Sequence, residues 1–386
     1  MKLKLFARED GRYGVRNRIA VIPTVACVNH LAEQIAAGVE IADAYTHPYG
    51  CDQLGFDREL SFHCLERMGS HPNVGAVLVV GLGCEEIDAE ELEQAIRQHR
   101  TRTSSMIMQQ TGGTTFCVEK GIEICKQFAA QLAKDERVET EISHLTIGVE
   151  CGGSDFSSGI ASNPAVGVFT EKLCAAGGKV VFGETTELMG AENLLRPLCQ
   201  RQETYEFIVQ SIQKMEQTAL DLKVDLRGTQ PSPGNIAGGL STIEEKSLGG
   251  ICKIGSAPIV DAVPFGGAAT KAGVTFVDTP GNDLACSLGL SAAGAQIILF
   301  TTGRGTPMGF AAAPVLKLTA NGTIYERMKE NFDLDLSGIL TGDLSVDQAG
   351  QQIFEMVCKT AEGAESAAET LGHREFSLYR ISPVLT

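Results

Sequence analysis

The sequence predicts an α/β protein made of two Rossmann-like domains, each with a mainly parallel sheet flanked by helices. A strand, a glycine-rich polar loop and a helix alternate through both halves of the chain. Val74–Val80 is apolar at every position, which is typical of a parallel strand buried on both faces. The 386 residues are too many for one typical core. We divide them into an N-terminal domain, 1–140, and a C-terminal domain, 141–386, at a polar segment around residues 135–143.

Apolar runs and amphipathic stretches alternate regularly in the N-terminal half. Short apolar runs bounded by turn residues predict strands, and longer amphipathic stretches predict helices. The predicted elements are, in order, strand Ile19–Val25, helix His30–Val39, strand Ile41–Thr46, helix Arg58–Met68, strand Val74–Val80, helix Glu90–Gln98, strand Ser105–Met108 and a long helix ending near Lys134.

The C-terminal half repeats this alternation. Pro164 precedes a predicted helix at Val166–Leu173 and suits its first turn. Ser241 and Glu244 have the spacing of a capping box, and the two prolines and four glycines of 227–239 predict a loop. The remaining predicted elements are strands Leu145–Val149, Lys179–Phe182, Val274–Val277 and Ala295–Phe300, and helices Glu203–Leu222 and Val346–Leu371.

Composition excludes some classes of protein. The formal net charge of −16 argues against a nucleic-acid partner, because phosphate binding needs a basic face. The N-terminus lacks the apolar region of a signal peptide, and no apolar run is long enough for a membrane helix. We therefore expect a cytoplasmic protein. Its 12 cysteines form no CxxC motif, so free thiols are favoured over disulfides.

Soft metal ligands follow several of the predicted strands. His47 and Cys51 stand four residues apart across a turn, Cys84 and Glu85 end another strand, and Cys151 ends a third. If these strand ends converge, imidazole, thiolates and a carboxylate would suit Fe²⁺, Zn²⁺ or an iron–sulfur cluster better than Mg²⁺. The alternative is that the thiols pack as small buried side chains.

The loop that contains Cys151 is also a candidate anion site. Gly152, Gly153 and Ser154 lie between a predicted strand and helix, where backbone N–H groups can approach a carboxylate. Arg304 stands between glycines after a strand and could bind a carboxylate in a bidentate manner. The secondary candidates, each equally compatible with an ordinary solvated or salt-bridged side chain, are Lys317, Lys246, Arg16 and Asn163.

Acid–base groups are abundant in the same loops. The carboxylate candidates are Glu184, Glu187, Asp155, Asp278 and Asp283. His47 could act as a base if it is not a metal ligand, because its pKa lies near neutrality. In open α/β sheets ligands bind beyond the carboxyl ends of the strands, so we expect the site there, between the two domains.

Several of these motifs, taken in order, carry a resemblance to a known family. They are Gly14-Val-Arg-Asn17, His47-Pro-Tyr-Gly-Cys-Asp-Gln-Leu-Gly55, Gly81-Leu-Gly-Cys-Glu85, Gln110-Thr-Gly-Gly-Thr114, Cys151-Gly-Gly-Ser-Asp155, Ser158-Gly-Ile-Ala-Ser-Asn-Pro-Ala165, Glu184-Thr-Thr-Glu187, Ala237-Gly-Gly-Leu240, Glu245-Lys-Ser247, Asp278-Thr-Pro-Gly281 and Phe300-Thr-Thr-Gly-Arg-Gly-Thr-Pro307. Over nearly its full length, the chain resembles the large catalytic subunit of the altronate/galactarate dehydratase family.

The resemblance implies a lyase that removes water from a sugar acid to give a 2-keto-3-deoxy acid. It also implies a divalent metal of the iron type. Mn²⁺ remains an alternative, and the cysteines at the strand ends keep an iron–sulfur cluster as another. His47, Asp155, Glu184 and Arg304 are then the expected catalytic residues. The expected substrate-binding residues are Arg16, Asn17, Gly152, Gly153, Ser154, Asn163, Thr302 and Lys317.

The resemblance leaves the partner and the substrate open. Family members often carry a small N-terminal domain or a separate small subunit of the SAF type. Because this chain starts directly with the large-subunit pattern, we expect a separate small subunit. We also expect a homo-oligomer. The family includes relatives that expel sulfite from sulfolactate, and a non-catalytic sugar-acid binding subunit is a further alternative.

Overall fold

The computed structural model describes residues 1–53 and 55–381, so Leu54 of the His47–Gly55 motif lies outside the described residues. It is an α/β structure with two compact units. The N-terminal unit comprises Lys4–Thr140 and two short later segments starting at Phe310 and Arg374. The C-terminal unit comprises Met1–Leu3, Glu141–Gly309 and Pro314–His373. None of the helices in the described ranges is long and apolar enough to span a membrane.

The N-terminal unit is organised around a four-stranded parallel sheet with the order β4-β3-β5-β6. A smaller sheet has the order β2-β1-β7. The strands are β1 Lys2–Ala7, β2 Tyr13–Gly14, β3 Arg18–Pro23, β4 Ala42–Ala44, β5 Val74–Gly81, β6 Thr103–Ile107 and β7 Arg137–Glu141. The helices are α1 Asn29–Ala37, α2 Phe56–Gly69, α3 Ala89–Arg97, α4 Met108–Thr111 and α5 Thr114–Leu132.

Burial explains why the prediction was accurate for this sheet. Every residue of β5 is buried, as its uninterrupted apolar sequence predicts. The polar segment after α5, predicted to be a domain boundary, contains strand β7, of which only Thr140 is buried. Its charged residues carried no apolar alternation that would have revealed a strand.

The two later segments of the N-terminal unit are bonded to its main part. Asn73 Nδ2 donates to the carbonyl of Ala312 at 3.0 Å, and Arg374 pairs with Asp43 at 2.9 Å.

His47 holds the loop after β4 against the end of β3. Its Nε2 lies 2.8 Å from the carbonyl oxygen of Pro23, and the backbone N–H of Tyr49 donates to Nδ1 at 3.3 Å. The two contacts fit a neutral ring with its proton on Nε2. Burial lowers the pKa of His47 to about 4, although the bond to Pro23 opposes this shift.

The C-terminal unit has a seven-stranded sheet with the order β10-β11-β9-β8-β12-β13-β14, and all of its pairings are parallel. Its strands are β8 Thr146–Cys151, β9 Lys179–Phe182, β10 Ile259–Val263, β11 Gly273–Val277, β12 Ile297–Thr301, β13 Val315–Thr319 and β14 Leu334–Asp335. Its helices are α6 Asn163–Ala175, α7 Gln202–Asp221, α8 Pro233–Ala237, α9 Ile243–Ile251, α10 Asp283–Ala292, α11 Gly322–Arg327, α12 Gly338–Thr341, α13 Val346–Ala361 and α14 Ala367–Thr370.

Three local predictions in this unit were wrong. The helix predicted for Val346–Leu371 ends at Ala361, and Ser366 starts a separate helix, α14, with its own capping box. The predicted loop at 227–239 contains α8, which Ser232 caps. The capping pair of α9 is displaced by one residue, because the Thr242 hydroxyl accepts from the N–H of Glu245. Pro164 does lie in the first turn of α6, as predicted.

Helix α6 depends on a close backbone contact at Gly167. A Cβ at this position would lie 2.3 Å from the carbonyl oxygen of Cys252 and 3.1 Å from Gly255 Cα. We expect Gly167→Ala to lower the free energy of unfolding by about 1–3 kcal/mol, because backbone must move apart. Gly228→Ala, which meets no atom within 4 Å, is the matched control and should change stability by less than about 0.5 kcal/mol. Equal unfolding free energies of the two variants in denaturant titrations would contradict this packing.

The lowered pKa of His47 predicts acid sensitivity of the N-terminal unit. The unfolded chain takes up a proton near the ordinary histidine pKa of about 6.5, whereas the folded unit resists protonation down to about 4. Stability therefore falls as pH falls, by about 2–3 kcal/mol between pH 6.5 and 4.5. Hydrogen exchange of the β3 amides at several pH values measures this loss. His47→Gln should remove this loss of stability at low pH. His63→Gln, a substitution at a half-exposed position, should leave the loss unchanged. If His47→Gln and the wild type lose stability equally as the pH falls, His47 is not its source.

Candidate active site

The C-terminal sheet places its central loops at the point where the strand order reverses. The chain runs from β8 outward to β9 on one side and later to β12 on the other. Cys151 and Thr301, the last residues of β8 and β12, are direct partners in the ladder. Ligands of open α/β sheets bind beyond strand ends at such a point. The loop after Cys151 is therefore positioned for ligand binding by the topology of the sheet.

A buried cluster of one thiol and two carboxylates lies at this edge. Cys151, Glu184 and Glu187 each offer a ligand atom within 4.8 Å of the other two. The thiol of Cys151 donates to Glu187 Oε2 at 3.4 Å, and its backbone N–H donates to Glu184 Oε1 at 3.2 Å. All three residues are buried, so their interactions are only weakly screened by solvent.

Two lysines compensate the negative charge of this cluster. Lys253 Nζ contacts Cys151 Sγ at 3.0 Å and pairs closely with Glu184 Oε2, and both partners of this pair are almost fully buried. Lys246 Nζ lies 2.8 Å from Glu187 Oε1. The arrangement is a network of alternating charge. Such a network tolerates burial because each ion has a partner within hydrogen-bond distance.

The backbone of Glu184 is held in an unusual conformation. Its φ of +65° lies in the left-handed region, which is costly for a residue with a Cβ. Its N–H donates to the hydroxyl of Thr279 at 2.7 Å, and Lys253 and the Cys151 N–H hold its carboxylate. Strain of this kind persists only where the surroundings over-determine it, and it is concentrated at functional sites.

Burial and charge shift the titration of these groups. Burial raises the pKa of Glu184 to about 7, although Lys253 opposes the shift. Burial also raises the pKa of Cys151, with a further contribution from Glu184. For Lys253, burial lowers the pKa, but Cys151, Glu184 and Glu187 outweigh it and hold the pKa well above its ordinary value. Lys253 is therefore an ammonium at neutral pH, whereas Glu184 titrates near neutrality.

The donor set of the cluster fits a divalent metal. A thiolate with two carboxylates suits borderline ions such as Fe²⁺, Mn²⁺ or Zn²⁺. The three ligand atoms are already close enough to share one ion. A metal bound here would compete with the Lys253 ammonium for Cys151 Sγ and Glu184 Oε2, since both atoms already contact Nζ. Cys151, Glu184 and Glu187 are thus the residues that could hold a metal.

The loop after Cys151 presents polar groups on both sides of its paired glycines. A Cβ on Gly152 would lie 2.7 Å from Asp283 Oδ1, and one on Gly153 would lie 3.5 Å from Arg304 Cβ. Ser154 Oγ is buried with no hydrogen-bond partner among the described residues. Burial raises the pKa of Asp283, and Glu187 adds to the shift. A loop that carries an unpaired buried hydroxyl and contacts an exposed arginine is a suitable environment for a polar ligand.

Other predicted residues of this unit hold the loops together. Asp155 accepts from the Ser157 hydroxyl at 2.6 Å and from Asn321 Nδ2 at 2.8 Å. Asn163 Nδ2 donates to the carbonyl of Gly249 at 2.9 Å. The Thr302 hydroxyl accepts from Gly305 N at 3.0 Å, and buried Lys317 donates to the carbonyl of Met308 at 2.9 Å. These bonds hold the loops that follow β8, β12 and β13.

The remaining predicted residues belong to the N-terminal unit. Asn17 accepts from Arg8 Nη1 at 2.7 Å, and Arg16 Nη1 donates to its neighbour's carbonyl at 3.0 Å. Both ring nitrogens of His47 are engaged as described above. Cys51 and Cys84 are exposed, and Glu85 accepts three backbone N–H bonds from its own loop.

Sequence reasoning did not identify Lys253. The signal was present: this lysine is the one charged residue in the run Leu248-Gly-Gly-Ile-Cys-Lys-Ile-Gly255, where a solvated side chain is unexpected. Glu187 and Asp283 were recognised as acid–base candidates and Lys246 as an anion holder, but nothing in the sequence linked them. Their proximity arises from strand order, which local patterns do not encode.

Comparisons with known proteins match both units. Residues 6–133 match a family model described as D-galactarate dehydratase/altronate hydrolase, second domain, and residues 142–384 match one described as D-galactarate/altronate dehydratase, C-terminal. The altronate dehydratase of Bacillus subtilis is 35% identical over 98% of this chain and 77% of its own length. That of Escherichia coli is 34% identical over 98% of this chain and 78% of its own length.

A third relative has a different activity. The (2R)-sulfolactate sulfo-lyase subunit beta of Chromohalobacter salexigens is 35% identical, over 97% of this chain and 96% of its own length. The family models nonetheless cover both units, and the altronate dehydratases match almost the whole chain. These findings confirm the resemblance inferred from the ordered motifs. The chain belongs to the D-galactarate/altronate dehydratase family.

Proposed function

We propose that this protein removes water from a sugar acid such as altronate and releases a 2-keto-3-deoxy acid. Family membership makes the chain an enzyme of the sugar-acid dehydratase type. The observation that carries the proposal is the buried network of Cys151, Glu184, Glu187 and two lysines at the strand-order reversal of the larger sheet. Buried titratable groups of both charges at such a point are typical of acid–base catalysis.

The chemistry of the reaction requires what this network contains. Removing the proton next to a carboxylate creates a dianionic ene-diolate, so a base and nearby positive charge are both needed. Glu184, whose pKa is raised to about 7, is the proposed base, and the Lys253 ammonium lies beside it. Arg304 and the amides of Gly152 and Gly153 are proposed to bind the substrate carboxylate.

We also propose that the enzyme uses a divalent metal, with Fe²⁺ favoured over Mn²⁺. Cys151, Glu184 and Glu187 would hold it, and a thiolate in the set favours the softer ion. A bound metal would supply Lewis-acid stabilisation of developing negative charge. The two roles of Glu184 are alternatives. If Glu184 is a metal ligand it is not the base, and Asp283, which lies beside Gly152, is the next candidate to take the proton.

Glu184→Gln separates these two roles. The amide keeps the shape of the side chain but cannot accept the proton, so we expect activity to fall by about 10²–10⁴-fold. Unchanged metal content in that variant would identify Glu184 as the base, and parallel loss of metal would identify it as a ligand. Cys151→Ser should lose metal and activity together. The control is Glu206→Gln, on the exposed face of α7, which should keep wild-type activity. Wild-type activity of Glu184→Gln would refute a role for the cluster.

A sulfo-lyase is the second candidate function, because the sulfo-lyase subunit matches this chain over 96% of its own length. Sulfite and hydroxide both leave from the carbon next to the one that loses its proton, so the first step is shared. The test is a parallel assay of altronate, galactarate and sulfolactate under anaerobic conditions with Fe²⁺, with and without a candidate small subunit. Keto-acid release from a sugar acid supports the dehydratase, and sulfite release from sulfolactate alone overturns it in favour of the sulfo-lyase.

A further inference from the structure

Three loops of the N-terminal unit each carry one exposed cysteine at the same edge of its parallel sheet. Cys27 follows β3, Cys51 follows β4 and Cys84 follows β5, and all three are free thiols. Because β4, β3 and β5 are adjacent and parallel, their carboxyl ends meet at one edge. β4 lies on one side of β3 and β5 on the other, so the direction in which the chain adds strands reverses at β3. The three cysteine loops follow the strands on either side of this point and β3 itself.

Backbone hydrogen bonds fix these loops to one another next to the cysteines. The N–H of Ala26 donates to the carbonyl of Tyr49 at 2.8 Å, and the N–H of Glu86 donates to that of Gly50 at 3.4 Å. Gly50 approaches the β3 loop so closely that a Cβ would lie 2.2 Å from the carbonyl oxygen of Thr24. The loop of Cys51 is therefore bonded to the loops of both other cysteines.

Glu85 fixes the third loop. Its carboxylate accepts the N–H groups of Leu82, Gly83 and Cys84 at 2.9, 2.6 and 2.9 Å. It also accepts the hydroxyl of Thr24, at the end of β3, at 2.6 Å. Burial raises the pKa of Glu85, but the Thr24 hydroxyl and the loop N–H groups outweigh it and lower the pKa. A carboxylate used in this way positions the Cys84 loop against β3.

We propose that Cys27, Cys51 and Cys84 bind an iron–sulfur cluster, with one iron left without a protein thiolate. Within the described ranges, Cys151, Glu184 and Glu187 are the one set of three donors within 4.8 Å of one another. The three thiols therefore stand farther apart than the ligands of a single ion. The thiolates of a cluster bind separate irons, so they suit this wider spacing.

The charges around the thiols suit a cationic metal centre. Cys51 Sγ lies 3.8 Å from the carboxylate of Asp52. Glu86 and the thiols of Cys27 and Cys84 are also near enough to interact electrostatically with the thiol of Cys51. Binding forms three iron–sulfur bonds, and each thiol that binds loses its proton to solvent. The medium supplies sulfide with both Fe²⁺ and Fe³⁺, so the mixed-valence cluster forms without a further oxidant.

The test is anaerobic reconstitution of the full chain with Fe²⁺, Fe³⁺ and sulfide, followed by iron and sulfide analysis and visible absorption. The wild type should bind iron and sulfide together, and Cys27→Ser, Cys51→Ser and Cys84→Ser should each lose most of both. Cys199→Ser, at a partly buried position of the other unit, and Cys151→Ser should keep the sulfide. Because the three cysteines are exposed, serine at these positions leaves the core intact.

Alkylation of the wild type gives a second measurement, which does not depend on whether the serine variants fold. Before reconstitution Cys27, Cys51 and Cys84 should react with iodoacetamide, and afterwards mass spectrometry should find all three protected. The proposal is overturned if the wild type binds iron without sulfide, binds only a single zinc ion at these thiols, or forms a disulfide between two of them on reconstitution. It is also overturned if all three serine variants retain sulfide.

Discussion

The candidate active site depends on one buried ammonium. Lys253 lies between the thiol of Cys151 and the carboxylate of Glu184, with a second lysine, Lys246, on Glu187. Removing one partner of a buried ion pair typically costs about 3–5 kcal/mol, because the remaining charge is left without compensation. The strained backbone of Glu184, the end of β8 and the turn after α9 are all held by these contacts. A site assembled in this way has little freedom to rearrange.

The same residue types have two different tasks in this protein. Glu85 and Asp155 receive several hydrogen bonds from their own loops, so their oxygens are occupied in holding the backbone. Glu184 and Glu187 face lysines and a thiol instead, and burial raises the pKa of Glu184. The carboxylates of the first pair hold their loops in place, whereas those of the second lie close enough to each other and to Cys151 to bind one metal ion.

Both sheets present cysteine-bearing loops where the strand order reverses, but the two environments differ. Cys151 is buried beside two carboxylates whose oxygens lie within 4.8 Å of its thiol, close enough to share one small ion. Cys27, Cys51 and Cys84 are exposed on loops that are bonded to each other. The first environment suits chemistry on a substrate, and the second suits a larger metal centre.

The sequence by itself determined the α/β class, most of the strands and helices, and the family. These follow from local signals: the apolar run of β5, the proline at the start of α6 and the ordered motifs. The tertiary structure decided which side chains meet. Lys253 follows Cys151 by 102 positions in the chain, and the two are brought together only because α9 and the turn after it return to the end of β8. Cys27 likewise carries no motif of its own. Strand order, which depends on long-range packing and not on periodicity, brings its loop to those of Cys51 and Cys84.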